Sequence, residues 1–568
     1  MNSETKNCQN CKQDFAIDSE DFNFYEKIKV PPPTFCPECR RMRRFAQTNE
    51  IVLYKRKCDL TRKDIFSMYP ENTSFPVYET DAWYSDEWDP YEYGMDFNEN
   101  KPFLEQFLEL QNKVPRMSLV KQGESINSPY THRVSGPKNS FMVFRSSYPE
   151  DCLYEYNGKF SKNCVDCSWV FDSQICYECV NIKNCYNLRF SQESNDCRDS
   201  YFLYACRNCS DCIGCVNLVN NQYCIWNKKY TKEEYFKKLK TLGLNTHFGI
   251  EKMKREFEVF RKKFPIKAMA TIKSEKVSGN WFSNCKNVQQ SFDCIEIKDG
   301  KYLFMVFGGE DCMDYYEWGN KAEQIYESVN CGLNITRLYF SNQCWSGATD
   351  LYYCNTCPGA KDCFGCVGLK KGEYSILNKK YSKEEYGILK EKIIKQMTEV
   401  PFIDKKGIKY YFGEFFPVEF SDFGYNETIA NYHFPLSREE ALFKGYKWKD
   451  KEKTNYKITL KPETLPETIP EVDDSILNEV IECEEKDNPE STGAFRITVN
   501  ELQFYRKMDL PLPRACFNVR YWRRMNKRPK LKIMKRYCTK CDREVDTVYN
   551  EEYAPIIFCE KCYQQEVY

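Results

Sequence analysis

The apolar positions of this chain follow two different rhythms. Between Cys152 and Cys224, short runs of Tyr, Phe, Val, Ile and Asn surround the cysteines and helix formers are few. The twelve cysteines of this stretch, at 152, 164, 167, 176, 179, 185, 197, 206, 209, 212, 215 and 224, are separated throughout by multiples of three. Random placement scatters residues over three phases, so a structural unit repeats. The pattern predicts small strands and tight turns stacked as a solenoid, with Cys as a compact inward-facing residue. A long step then a short one recurs at Cys167/Cys176/Cys179, Cys197/Cys206/Cys209 and Cys344/Cys354/Cys357. The competing reading is an array of thiolate metal sites, since DCIGC, RNC and CYEC offer CxxC pairs; redox catalysis by the same thiols is a third. A helical rhythm begins where Ser or Thr is followed three residues later by Glu: Thr231 with Glu234, Ser382 with Glu385, and Ser437 with Glu440. That spacing satisfies orphan N–H groups in both directions and predicts three helix starts. From Lys449 to Gly493 the charged, Pro-containing run KPETLPETIPEVDD predicts a linker that buries little, with one short amphipathic helix at SILNEVIE. No apolar run approaches ~18 residues, so no membrane span is expected.

Two unrelated duplications organise the chain. The outer one pairs the N-terminus with the C-terminus at a constant offset of 480 residues, matching Phe15, Ile17, Phe24, Tyr25, Cys36, Arg40, Arg43, Arg44 and Cys58, among others, to identical residues without a gap. The inner one pairs FMVF at Phe141 and Phe304, EDC ending at Cys152 and Cys312, and DCIGCVNL with DCFGCVGL from Asp211 and Asp362; each copy runs into NKKY[TS]KEEY. The second copy keeps the period of three at Cys285, Cys294, Cys312, Cys354, Cys357, Cys363 and Cys366, with Cys331 and Cys344 out of phase. The expected fold is α+β and multidomain, with zinc-ribbon or treble-clef-like modules at both termini flanking a duplicated, β-rich, Cys-rich solenoid-like centre. The boundaries read as a zinc-binding module at 1–80, an acidic and aromatic connection at 81–139, copy 1 with its closing helix at 140–245, and a helical connector and lead-in at 246–302. Copy 2 with its closing helix follows at 303–400, then a YNET-containing segment and charged linker at 401–493, and a C-terminal zinc-binding module at 494–568.

Composition narrows the chemistry. The 568 residues carry 83 basic and 83 acidic side chains, 16% aromatics, 32 Cys and 3 His. Three scattered histidines (His132, His247, His433) leave little material for imidazole-based metal sites or catalysis. Zero net charge excludes a globally cationic nucleic-acid binder, so any such role falls to local patches. The polar opening MNSETKNCQN lacks the apolar stretch of a secretory signal, which predicts a reducing cytoplasm and thiols rather than disulfides.

The terminal cysteines have metal-ligand spacing. Cys8 and Cys11 form one CxxC, Cys36 and Cys39 a second, and Cys538, Cys541, Cys559 and Cys562 a complete set at the other end. Four thiolates meet the tetrahedral demand of Zn²⁺ and leave no open position for water, so two structural zinc sites are expected and no catalytic residue is assigned. Across the 480-residue offset, Thr61, Glu79 and Ala82 stand where Cys541, Cys559 and Cys562 stand, and Val519 replaces the equivalent of Cys39. Each module has lost the site its counterpart keeps; Cys58, Cys483 and Cys516 read as relics. Basic residues follow the knuckles: RRMRR covers Arg40 to Arg44, and Arg520 to Arg536 holds nine Lys or Arg and no acid, interleaved with Tyr521 and Trp522. Arg40, Arg43, Arg44, Arg520, Arg523, Arg524, Lys527 and Arg528 are therefore candidate nucleic-acid contacts. The alternative is a helix face pairing with acidic segments of the same chain, such as DAWYSDEWDPYEYGMD from Asp81.

CPECRRMRR, LYKRKCD, DEWDPYEYGMDF, YNETIANYHFPLSREEA and FCEKCYQQEVY together resemble uncharacterised cysteine-rich zinc-ribbon proteins of candidate-phylum bacteria. The resemblance implies zinc ribbons and a bacterial cytoplasm, and implies no reaction; some members carry a CoA-transferase label, for which no matching residues occur here. Val519 and the single Cys483 depart from the usual pattern. Three functions stay open: a zinc-stabilised binding protein for nucleic acid or a ribonucleoprotein, a structural or protein-interaction scaffold, and an enzyme using metal or thiols in the centre. For the last, Asp81, Asp86, Asp89 and Asp96 are possible cation ligands.

Overall fold

A computed structural model describes residues 3–302, 307–309, 313, 320–322, 326–329, 332, 339–343, 345, 347–451 and 456–567. Its centre is a parallel β-solenoid. Tyr156 pairs with Ser168 and Ser168 with Val180, so one turn takes twelve residues. In copy 1 the backbone turns left-handed at nearly every third residue, as at Tyr154, Asn157, Phe160, Asn163 and Asp166, with φ between 51° and 57°. Each twelve-residue turn therefore has four corners. Asn and Asp tolerate this conformation best, and they are laddered: Asn139 donates to Asp151, Asn187 to Asp199 and Asn208 to Asn220, each partner one turn on. Aromatic corners such as Phe190 and Phe202 offset the strain by stacking on each other at 4.8 Å.

The residue after each corner points inward, and this is the phase that the cysteines occupy. The interior mixes Cys and Ser with Val, Ile and Leu, and its polar side chains satisfy backbone groups there. Cys167, Cys179 and Cys215 each donate S–H to the carbonyl two residues back, at 3.3–3.4 Å. Serine does the same at equivalent places: Ser173 donates to the Phe171 carbonyl and accepts from the N–H of Cys185, one turn on. Ser194 repeats this with Gln192 and Cys206. The described central cysteines are packed in the inward phase, as the solenoid reading expected, and those of copy 1 are all buried.

The ladder starts upstream of both sequence boundaries, at Lys121–Gln122 in copy 1 and Thr271–Ile272 in copy 2. Copy 2 ends in the same twelve-residue register, with Leu351 on Cys363 and Cys363 on Ser375. Phe304, Cys312, Cys331 and Cys344 lie outside the described residues. Each copy is closed by a short antiparallel return and a capped helix, Lys232–Leu239 behind Thr231 and Lys383–Glu399 behind Ser382, with both capping-box bonds formed. Ser437 caps the third helix, Arg438–Phe443, in the same way.

Two expectations need correction. SILNEVIE is no α-helix: Asp474–Asn478 forms a 3₁₀ turn and Ile481–Glu482 a strand. The segment around it also buries Leu465, Ile469, Val472 and Ile476, so it is a packed strap rather than a free linker. Apolar residues spaced by prolines dock it, where charge content alone predicted solvation.

The terminal modules cross over the centre. The helices Ser19–Lys27 and Pro37–Phe45 lie against copy 2, with Tyr25 on Tyr326, Arg40 over Tyr302 and Arg41 over Phe292. The helices Val499–Met508 and Phe517–Met525 lie against copy 1, with Tyr505 on Tyr177, Phe517 on Tyr154 and Tyr521 on Tyr156. The YNET segment sits between the two modules: Thr428 bridges to Asn49, and Tyr432 packs on Trp522 and donates to the Met525 carbonyl.

One inward position of copy 1 holds a carboxyl. Glu155 is fully buried, accepts from Ser161 at 2.9 Å, and occupies space that a side chain at Gly158 would fill. Burial pushes its pKa up to about 7, opposed by the bond from Ser161. A folded pKa above the unfolded one means that stability is fully present below about pH 4.5 and is lost as pH rises through 7. Glu155→Gln is expected to remove that loss, on the order of 2–3 kcal/mol. Thermal midpoints of wild type and variant at pH 5 and pH 8 check this: the variant should gain at pH 8 and change little at pH 5.

Candidate metal centres

Both terminal cysteine sets assemble. In each, the four sulfurs lie within 4.8 Å of one another, and among the described residues these are the two groupings of metal-ligand side chains. At the N-terminal centre, strands Glu4–Asn7 and Asp14–Ile17 pair antiparallel and their turn carries Cys8 and Cys11. The turn is tight because Lys12 is left-handed at φ 62° and donates its N–H back to the Cys8 carbonyl. Cys36 caps the helix Pro37–Phe45 and Cys39 sits in its first turn. The Cys36 N–H points at the Cys8 sulfur at 3.2 Å, the Cys11 and Cys36 sulfurs are 3.7 Å apart, and Asn10 donates to Cys39. The C-terminal centre repeats the design. Asp542 is left-handed at φ 57°, the Cys559 N–H points at Cys538 at 3.3 Å, and Cys541 and Cys559 are 3.8 Å apart, ahead of the helix Glu560–Val567.

The electrostatics favour one thiolate in each cluster at the expense of its neighbours: hydrogen bonds with Cys36 and Cys8 push Cys39 up, and desolvation pushes Cys562 up to about 12. Hydrogen bonds from Cys36 and Cys39 hold Cys8 well below the usual thiol range. At Cys538 burial opposes ionisation, yet the N–H groups of Cys559, Lys540 and Cys541 bring the thiol down to about 6. In each centre four converging thiols, one of them exposed (Cys11 or Cys541), fit a tetrahedral ion with a closed coordination sphere. The donor set suits a structural role and leaves no vacant position for substrate.

The basic residues do not form the exposed surface expected of them. Arg43 bonds Glu327 at 3.3 Å and Glu414 at 3.4 Å, stacks over Phe35, and lies beside Arg44, itself 3.7 Å from Glu327. Arg520 and Arg524 share Asp166, at 3.2 and 2.5 Å, and Arg520 also reaches Glu501. Arg528 pairs with Asp293 at 2.6 Å, between the rings of Trp169 and Trp281. Arg40, Arg43, Arg44, Arg520, Arg524 and Arg528 are all buried. Lys527 is half-buried, and Arg523 is exposed but held by Glu484 and Glu485. Among these acidic partners Asp166 and Asp293 are solenoid corners, Glu501 lies on the helix Val499–Met508 and Glu414 in a loop, and none comes from the stretch from Asp81. In that stretch Trp83 and Trp88 are buried against copy 2 and Asp96 pairs with Lys379, so the four aspartates form no cation site. Asp166, Glu327 and Glu414 escaped the sequence reading; for Asp166, its period-three corner position was the available signal.

Copy 1, the opening turns of copy 2 and the C-terminal hairpin enclose a groove of about 1440 Å³. Asn184, Asp196, Arg207, Lys273, Glu296 and Glu544 represent its mixed-charge walls. Glu193 borders it, accepting from Asn181 and Trp281, with its pKa raised to about 7 by burial.

Compared with protein families and curated proteins, the chain matches none.

Two outcomes are expected. Elemental analysis should find two metal ions per chain, falling to one in Cys36→Ala or Cys559→Ala. Asp166→Asn leaves Arg520 and Arg524 buried without their shared carboxylate, and should cost about 3–5 kcal/mol. Hydrogen exchange would show that loss first in the helix Phe517–Met525.

Proposed function

We propose that this chain is a zinc-braced, non-catalytic interaction scaffold that holds a polypeptide segment in the groove between its two solenoid copies. The observation that carries the reading is the burial of the knuckle arginines. Guanidinium groups that clamp the terminal modules onto the solenoid cannot also neutralise phosphates, which removes the main support for a nucleic-acid interface. The groove is open to a partner, with cationic and anionic walls that match a chain carrying both charges better than a polyanion. Two closed tetrathiolate centres stabilise the ends and supply no chemistry.

Electrophoretic shift titrations with single-stranded RNA and duplex DNA at low salt should show no retention. Retention that weakens on Arg523→Ser with Lys527→Ser would overturn the reading in favour of nucleic-acid binding. Peptides selected on the wild type from a displayed random library should lose binding to the Asp196→Lys, Glu296→Lys variant. Peptides indifferent to that change would remove the groove from the assignment.

A further inference from the structure

We infer that Cys483, Ser491, Cys516 and Val519 are a dismantled third metal site, still shaped for a tetrahedral thiophilic ion such as Zn²⁺, and that two substitutions return it to use. The gapless offset of 480 hides half of this site, because it places Asn488 opposite Cys8. The strand register corrects it. Lys6 pairs with Phe15 in the N-terminal hairpin, and Ile481 pairs with Phe495, the counterpart of Phe15. Two residues further on, Cys483 therefore takes the place of Cys8. Eleven positions lie from Cys483 to Ala494 where six lie from Cys8 to Asp14, so this knuckle carries a five-residue insertion.

The local geometry then agrees contact by contact. The N–H of Cys8 donates to the Gln13 carbonyl at 2.9 Å, and that of Cys483 to the Gly493 carbonyl at 2.9 Å. The Cys36 N–H meets the Cys8 sulfur at 3.2 Å, and the Cys516 N–H meets the Cys483 sulfur at 3.2 Å. The Cys11 sulfur lies 3.7 Å from Cys36, and the Ser491 oxygen lies 3.7 Å from the Cys516 sulfur. Cys36 and Cys516 each cap a nine-residue helix, with Cys39 and Val519 at the same place in the first turn. Ser491 and Val519 are thus the two missing ligands. The four residues are at most 1% exposed, and Val519 packs against Cys483 and Cys516. A hydroxyl and an isopropyl group fill the ligand positions, and the cluster coheres by packing and hydrogen bonds where its counterpart has four thiols. The loss is tolerable because the Arg520 and Arg524 pairs with Asp166, and the metal centre at Cys538, hold the same module by other means.

The test is metal stoichiometry on the full-length chain. Ser491→Cys with Val519→Cys should raise zinc from two to three ions per chain, and the thiolate-to-metal absorbance of the cobalt-substituted protein should rise by half. A folded double variant that keeps two ions overturns the inference, and so does wild type with three. The converse variant at the intact centre, Cys11→Ser with Cys39→Val, tests the same equivalence should the first fail to fold. It should stay folded, by circular dichroism, with one ion. Unfolding of this converse variant would show that the Ser and Val arrangement cannot replace the metal, and would overturn the inference.

Discussion

Everything in this molecule depends on a backbone that turns left-handed at almost every third residue of copy 1. Four such corners close a twelve-residue turn around an interior filled by Cys, Ser and a few aliphatic side chains. Parallel pairing satisfies the groups along the sides, but polar backbone atoms near the corners face inward and need a partner that occupies little volume. A thiol or hydroxyl on one carbon supplies it, which is why Cys and Ser recur in the inward columns beside Val, Ile and Leu. The abundance of cysteine in the centre follows from coil geometry, and among the described residues the groupings that could hold a metal ion are at the ends.

The same corners build the outside. A corner residue projects from the coil edge at a spacing of one turn, so a single side chain such as Asp166 can meet two arginines of a docked helix. Burying guanidinium groups without carboxylates would be prohibitive, and burying the carboxylates without them equally so. The terminal modules and the rest of the chain are consequently interdependent, because buried arginines of each module are neutralised by carboxylates from outside it. The N-terminal module's Arg43 meets Glu327 and Glu414, the C-terminal module's Arg524 meets Asp166 while Arg520 is shared between Asp166 and Glu501 of its own module, and the duplicated ends cross over the duplicated centre.

Redundancy explains the uneven metal sites. A module clamped by buried ion pairs, aromatic contacts and one tetrathiolate centre does not need a second. Hydrogen-bond geometry survives at the abandoned positions: Cys58 still accepts from the N–H groups of Thr61 and Glu79, as Cys538 accepts from Cys559.

The sequence by itself determined the local and periodic features. The cysteine phase specified the inward column, the Ser/Thr-to-Glu spacings specified three helix starts, and the paired CxxC motifs specified two metal centres, because each depends on residues close along the chain or on one repeating unit. Tertiary structure alone decided the fate of the charges. Arg40 to Arg44 and Arg520 to Arg528 read as a solvated, phosphate-seeking surface, since nothing local announces that Glu327, Glu414, Asp166 and Asp293 are brought to them from more than two hundred residues away. The strap from Leu465 to Ile476 likewise took its burial from the surface it crosses. Burial of a long polar side chain depends on its remote partner, and a partner supplied by folding across the chain leaves no periodic mark.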